Sequence, residues 1–225
     1  MIFENIQKLR QKLSKYPHAQ LICVTKGQPV EKIQQAIEAG EVHFGANYSQ
    51  ELLAQSSQIA ATGQTLHWHF IGHLQRNKVK QILPLVDLIH SVDSLGLAQE
   101  INKRALALGK VQNILIEINL EGESSKTGLS LAELTPLITE LNSLENIELK
   151  GLMCIPPALP DPEHVRPYFK QLREIREDIN QKSLYKKPLT ELSMGMSQDY
   201  EIALEEGSTM IRIGTAIFGE RHVKK

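Results

Sequence analysis

A chain of 225 residues with 25 Lys and Arg against 26 Asp and Glu carries a formal net charge of -1. It has no global field to draw it to nucleic acid or a membrane surface, so any phosphate it binds is held by local groups. No apolar run approaches a membrane span, and the amphipathic start "MIFENIQKLRQKL" lacks the apolar core of a signal peptide, which predicts a cytoplasmic address.

That opening segment predicts a leading helix. In "LICVTKGQPVEKIQQAIEAG", residues 21–40, a short apolar run holding Ile22 and Val24 predicts a buried strand with Lys26 at its C-terminal end. Val30, Ile33 and Ile37 then recur at helical spacing, with Gly40 as the C-cap. The same unit repeats along the chain. Strands are predicted in "QLICVT", "EVHFG", "LHWHFI", "LIHSV", "NILIEINL", "ELKGLMCI", "LTELSM" and "TMIRIG". Between them, residues 30–39, 48–61, 74–83, 95–108, 131–144, 162–181 and 198–205 carry helical periodicity. Such alternation predicts a parallel sheet with crossover helices, and eight units fit a (β/α)8 TIM barrel of about 200 to 250 residues. No Gly-x-Gly-x-x-Gly follows the first strand, as an open dinucleotide-binding sheet would require. Residues 1–225 therefore read as one α/β barrel domain with an extra N-terminal helix. Cys23 and Cys154, the two cysteines, fall inside apolar strands without metal spacing and read as buried thiols.

A barrel gathers its chemistry at the C-terminal ends of its strands. Those ends bring Lys26, Asn47, Ser193, Arg212, Gly214 and Thr215 toward one mouth. Loops after the seventh and eighth strands often hold phosphate, and Ser193, Gly195, Gly214 and Thr215 offer hydroxyls and close backbone approach there. A lysine drawn into the mouth loses hydration, which lowers its pKa and frees the amine to attack an aldehyde. The same lysine could instead snorkel to solvent or pair with Glu31. In "TMIRIG", Ile211 and Ile213 share one strand face and Met210 and Arg212 the other. An inward guanidinium needs a buried acceptor: a heteroaromatic nitrogen, a phosphate, or a carboxylate such as Glu117 or Glu191.

Three other constellations are weaker. "GESSKTG" has Ser125 where a nucleotide-binding loop needs Gly before its lysine, here Lys126. His67 and His69 share one strand face, with His90 and Asp93 a strand further on, which is the pattern of a metal-dependent barrel hydrolase; two histidines on one strand are more often structural. Arg76, Lys78 and Lys80 in "LQRNKVKQ" lack interleaved aromatics and read as a solvated helix face, not a nucleic-acid patch.

The motifs "VTKG", "FGANYSQE", "WHFIGHLQRNK", "HSVD", "INLEGESSKTG", "GLMCIPP", "LSMGMSQDYEIA" and "GSTMIRIGTAIFG", in this order, resemble those of the pyridoxal phosphate homeostasis protein family, also described as proline synthetase co-transcribed proteins. The resemblance implies a barrel like the N-terminal domain of alanine racemase, with pyridoxal 5′-phosphate held as a Schiff base on Lys26. It puts phosphate contacts on Ser193, Gly214 and Thr215, Arg212 opposite the pyridine nitrogen, and Asn47 and Met194 beside the ring. Thr25, Gly27 and Ala46 depart from the family's usual serine, threonine and glutamate without touching the anchor. The function implied is a monomeric carrier or regulator in vitamin B6 homeostasis and amino-acid and keto-acid balance, with pyridoxal-phosphate-dependent apoenzymes as recipients. An arginine at the pyridine nitrogen disfavours transamination. The similar racemases take a second base, a tyrosine, from a C-terminal β-domain of their partner subunit, and this sequence stops at Lys225, so racemisation is not expected. A low-activity enzyme acting on amino acids is the alternative, and a metal-dependent hydrolase using His67 and His69 the outsider.

Overall fold

The computed structural model describes residues 1–60, 63–122 and 127–220. Eight strands lie parallel in sequence order and close on themselves. They are β1 Gln20–Val24, β2 His43–Ala46, β3 His67–Phe70, β4 Val86–Val92, β5 Gln112–Glu117, β6 Ile147–Met153, β7 Glu191–Ser193 and β8 Met210–Ile213. β1 pairs with β8, Ile22 standing opposite Arg212 and Cys23 opposite Ile213. The predicted barrel is therefore the fold.

Helices wrap the outside: α1 Ile2–Leu13, α2 Val30–Glu38, α3 Ser49–Ala60, α4 Val79–Ile82, α5 Leu95–Ala107, α6 Leu131–Leu141, α7 Arg166–Gln181, α8 Tyr200–Glu205 and α9 Thr215–Phe218. α1 buries Ile2, Ile6 and Leu9, a stripe of the spacing expected for a helix laid on a core. Two segments differ from their periodicity, and one short helix is not predicted by it. Residues 74–83 break into a 3-10 turn, Arg76–Lys78, and the single turn α4. Residues 162–181 start as a 3-10 turn at Pro162–Val165, before α7 takes Pro167 in its first turn, where a missing N–H costs no helical bond. α9 has only four residues, too few to show any period. The "GESSKTG" lysine and its two preceding serines lie outside the described residues.

Alternation along the strands divides the core in two. Ile22, Leu88, Leu115, Met153 and Met210 fill the barrel interior, whereas their neighbours Cys23, Ile89, Ile114, Ile116, Leu152 and Ile211 join the larger core under the helices. Cys23 and Cys154 are both buried free thiols, and burial pushes the Cys154 thiol up to about 12.

Candidate functional site

Lys26 follows β1 in a turn closed by the Gln28 N–H donating to the Thr25 carbonyl at 2.9 Å. Gly27 adopts φ +66° there, which a glycine reaches without steric cost. Gln55 of α3 fastens this turn: its Oε1 accepts the Thr25 hydroxyl at 2.8 Å, and its amide nitrogen lies 3.2 Å from the carbonyls of both Thr25 and Gln28. The Lys26 ammonium lies 5.1 Å from the centre of the Tyr48 ring, and no ion pair with Glu31 forms. The lysine is thus half-buried, rigid at its backbone and free at its amine.

Two adjoining cavities open at this end of the barrel and share Lys26, Asn47, Ile71 and Ile155. The one of about 590 Å³ is walled by Val24, Met196, Ser197, Asp199, Arg212, Gly214 and Thr215, among others. The one of about 580 Å³ adds Tyr48, His73, Lys78, Glu117 and Thr127. Burial raises the Glu117 carboxyl above the ordinary carboxylate range, against the Thr127 hydroxyl that donates to it at 2.6 Å. Lys78 thus edges the mouth instead of lying on a wholly solvated face.

Arg212 reaches the cavity from inside the barrel and is only 4% exposed. One terminal nitrogen donates to Ser193 Oγ at 2.6 Å and the other to the Cys154 carbonyl at 2.9 Å. Neither Glu117 nor Glu191 forms an ion pair with it among the described residues. Burial lowers its pKa, opposed by the charges of Cys154, Glu117 and Asp199. A guanidinium so placed has N–H groups left for a ligand and no acceptor left that would repel one.

Of the residues expected at the mouth, Lys26, Asn47, Arg212, Gly214 and Thr215 line one cavity. Ser193 and Met194 do not. Ser193 is fully buried below the mouth, its oxygen already engaged by Arg212 and by His90 Nδ1 at 2.8 Å, so it is a support for the arginine in place of a phosphate contact. Met194, next along the chain, points the other way into the helix-facing core. Ser197 takes the position expected of Ser193: it lines the cavity, and its Oγ accepts the Ala216 N–H at 3.2 Å. Asn47 Oδ1 is buried with no hydrogen-bond partner, an acceptor that a ligand donor would satisfy.

The histidines weighed as an outside metal site are engaged by other side chains. His69 Nε2 lies 3.1 Å from His43 Nδ1, and its Nδ1 lies 2.9 Å from His90 Nε2, so both ring nitrogens are engaged by other imidazoles. His67 pairs with Asp87 at 3.0 Å. Among the described residues no group of three or more ligating side chains could hold a metal.

The sequence matches the family described as "Alanine racemase, N-terminal domain" over residues 1–222. It is 44% identical over 221 residues to the pyridoxal phosphate homeostasis protein of Aquifex aeolicus (strain VF5), covering 98% of this chain and 95% of that protein. With the protein of the same description from Pasteurella multocida (strain Pm70) it shares 38% identity over 225 residues, covering 100% and 96%. PipY of Synechococcus elongatus PCC7942, solved with PLP bound, superposes with a TM-score of 0.90 at 35% identity, over 97% of this chain and 100% of that one. The chain therefore belongs to the pyridoxal phosphate homeostasis protein family, within the larger set built on the alanine racemase N-terminal domain.

Proposed function

We propose that the protein holds pyridoxal 5′-phosphate covalently on Lys26 and serves vitamin B6 homeostasis as a carrier or regulator. The observation that carries this reading is a free lysine amine facing the same cavity as a buried arginine that has no carboxylate partner. The lining fits the cofactor at three further points. Asn47 Oδ1 lacks a donor, Ser197 and Thr215 bring hydroxyls to one wall, and Gly214 lets backbone approach an anion. When bound, the cofactor supplies an electrophilic aldehyde carbon and a conjugated ring that draws electrons from an attached amine.

The chain's own groups bind and orient without driving turnover. Arg212 donates hydrogen bonds and offers no transferable proton, so a heteroaromatic nitrogen facing it stays unprotonated. Lys26 is placed to act from one face only, and inversion at carbon needs a proton delivered from the other. Storage and delivery to pyridoxal-phosphate-dependent apoenzymes, by a monomer in the cytoplasm, completes the reading.

Incubating the loaded protein with L-alanine in heavy water tests the absence of turnover: no deuterium at Cα and no D-isomer are expected. Rapid exchange with inversion would instead make the protein an enzyme with a second base.

Affinity should be set by the phosphate. Hydrogen bonds to a charged group are each worth about 1.5–3 kcal/mol, so losing even two of them should weaken pyridoxal against its phosphate by roughly a hundredfold or more. Equal dissociation constants in a fluorescence titration would remove the anion cup near Ser197, Gly214 and Thr215.

A further inference from the structure

Beneath the cavity, polar side chains run through the barrel interior toward the opposite end. Arg212 contacts Ser193 Oγ, Ser193 contacts His90, His90 contacts His69, and His69 contacts His43, with separations of 2.6, 2.8, 2.9 and 3.1 Å. His43 Nε2 then lies 2.7 Å from the side-chain amide of Gln20, while its ring stacks on His67 with centroids 4.7 Å apart.

The polarity of this column follows from its first member. A guanidinium only donates, so Ser193 Oγ accepts from Arg212. The serine's own hydrogen then needs an acceptor, and His90 Nδ1 is the one within reach. His90 Nδ1 must therefore be bare, which makes His90 a neutral ring protonated at Nε2. That N–H donates to His69 Nδ1, so His69 carries its proton at Nε2 and donates in turn to His43 Nδ1. His43 then donates from Nε2 to Gln20, which requires the oxygen of that amide at the position where the structure places its nitrogen, Nε2; the two exchange places by a simple flip. The reverse order would point two donors at Ser193 Oγ and strand its hydrogen in a buried place. Burial independently favours neutral rings, holding His69 at about 3 and, with the Arg212 charge nearby, His90 well below the ordinary range.

We propose that His90, His69 and His43 form a positioning column for Arg212, each imidazole neutral and protonated at Nε2, with every hydrogen pointing away from the arginine. The column keeps the Ser193 lone pair turned to the guanidinium and so fixes the direction of the remaining Arg212 N–H groups. It also insulates the site. A proton arriving at the far end meets N–H groups and no bare nitrogen, so none is relayed up to the group that Arg212 faces. The role toward the cofactor rests on the reading proposed above; the proton order does not.

Long-range ¹H–¹⁵N spectra of the cofactor-free protein at neutral pH read the proton order directly. Three Nε2–H neutral rings are expected, with His90 assigned from the signal lost in His90→Asn. An Nδ1–H ring or an imidazolium at His90 or His69 would overturn the column. A second arm asks whether it positions Arg212. Ser193→Ala and His90→Leu should each weaken pyridoxal 5′-phosphate about tenfold and displace its near-visible band, while His90→Asn, which retains an acceptor, should restore much of both. Wild-type affinity and band in a folded Ser193→Ala or His90→Leu protein would overturn the positioning role. Wild-type protein with the expected proton order but no uptake of the cofactor would overturn the cofactor reading and support the column as the anchor of Arg212.

Discussion

Replacing Lys26 by alanine is expected to abolish covalent capture of pyridoxal 5′-phosphate while leaving the barrel folded. The turn that carries Lys26 is held by Thr25, Gln28 and Gln55, none of which needs the lysine side chain. The truncation removes the contact with Tyr48, itself 52% exposed, and such an exposed cation–π contact contributes about 0.5–1 kcal/mol. Wild-type protein treated with the cofactor and then borohydride should gain the reduced cofactor's mass on the peptide containing Lys26, and absorb in the near-visible before reduction. Lys26→Ala should show neither, with a melting temperature within roughly 4 °C of wild type. Retention of the adduct by Lys26→Ala, or labelling of a different lysine in the wild type, would move the anchor elsewhere.

Gly72→Ala should cost both stability and cofactor binding. Gly72 follows β3, and a Cβ built there would lie 2.1 Å from the Asn47 carbonyl oxygen and 2.8 Å from the Asn47 Cα. These are backbone atoms, so no side-chain rotation relieves the clash. Gly72 cannot retreat freely either, because its carbonyl accepts the Ser91 hydroxyl at 2.5 Å. Asn47, Ile71 and Gly72 all line the mouth, so the separation forced between the two loops falls at the site itself. Overpacking of this kind costs about 1–3 kcal/mol, occasionally more, which in a chain this size lowers the melting temperature by roughly 2–12 °C. Affinity for the cofactor should fall with it. A Gly72→Ala protein that melts and binds like wild type would mean that the two loops separate without strain.

The parts of this molecule that follow a period were readable from its sequence. Strand and helix alternation gave the barrel because each strand is a short apolar run and each helix of adequate length shows a stripe. Lys26 stood out as a charge ending such a run, and Arg212 as a charge between Ile211 and Ile213. Depth along a strand was not readable. Alternation tells that Ser193 points inward, but the stagger of neighbouring strands decides whether it reaches the mouth, and here it stops one layer below, leaving the wall to Ser197 on the loop beyond. Met194 could have been set aside from the same alternation, since it is adjacent to an inward residue. Gln55 and Gly72 gave no signal at all, because their importance lies in approaches between segments that only the closed barrel creates. The histidines were visible in part: His67 and His69 share a face, but the interleaving of His43 and His90 depends on strand register.

The closure of β1 against β8 bears on how the protein comes into being. Lys26 follows the first strand and Arg212 lies on the last, so the two sides of the cavity meet only when the most distant parts of the chain pair, the kind of contact that forms slowly. α9, which begins at Thr215, is fastened at the same seam: Asn5 donates to the Ile217 carbonyl at 3.0 Å and Lys32 to that of Phe218 at 2.9 Å. A partly folded chain, on the ribosome or after a local opening, therefore has no binding site to offer. A ligand that recognises only the closed ring adds about 2.7 kcal/mol to its stability at a hundred times its dissociation constant, so the supply of cofactor in the cell would set the lifetime of the folded protein as well as its load.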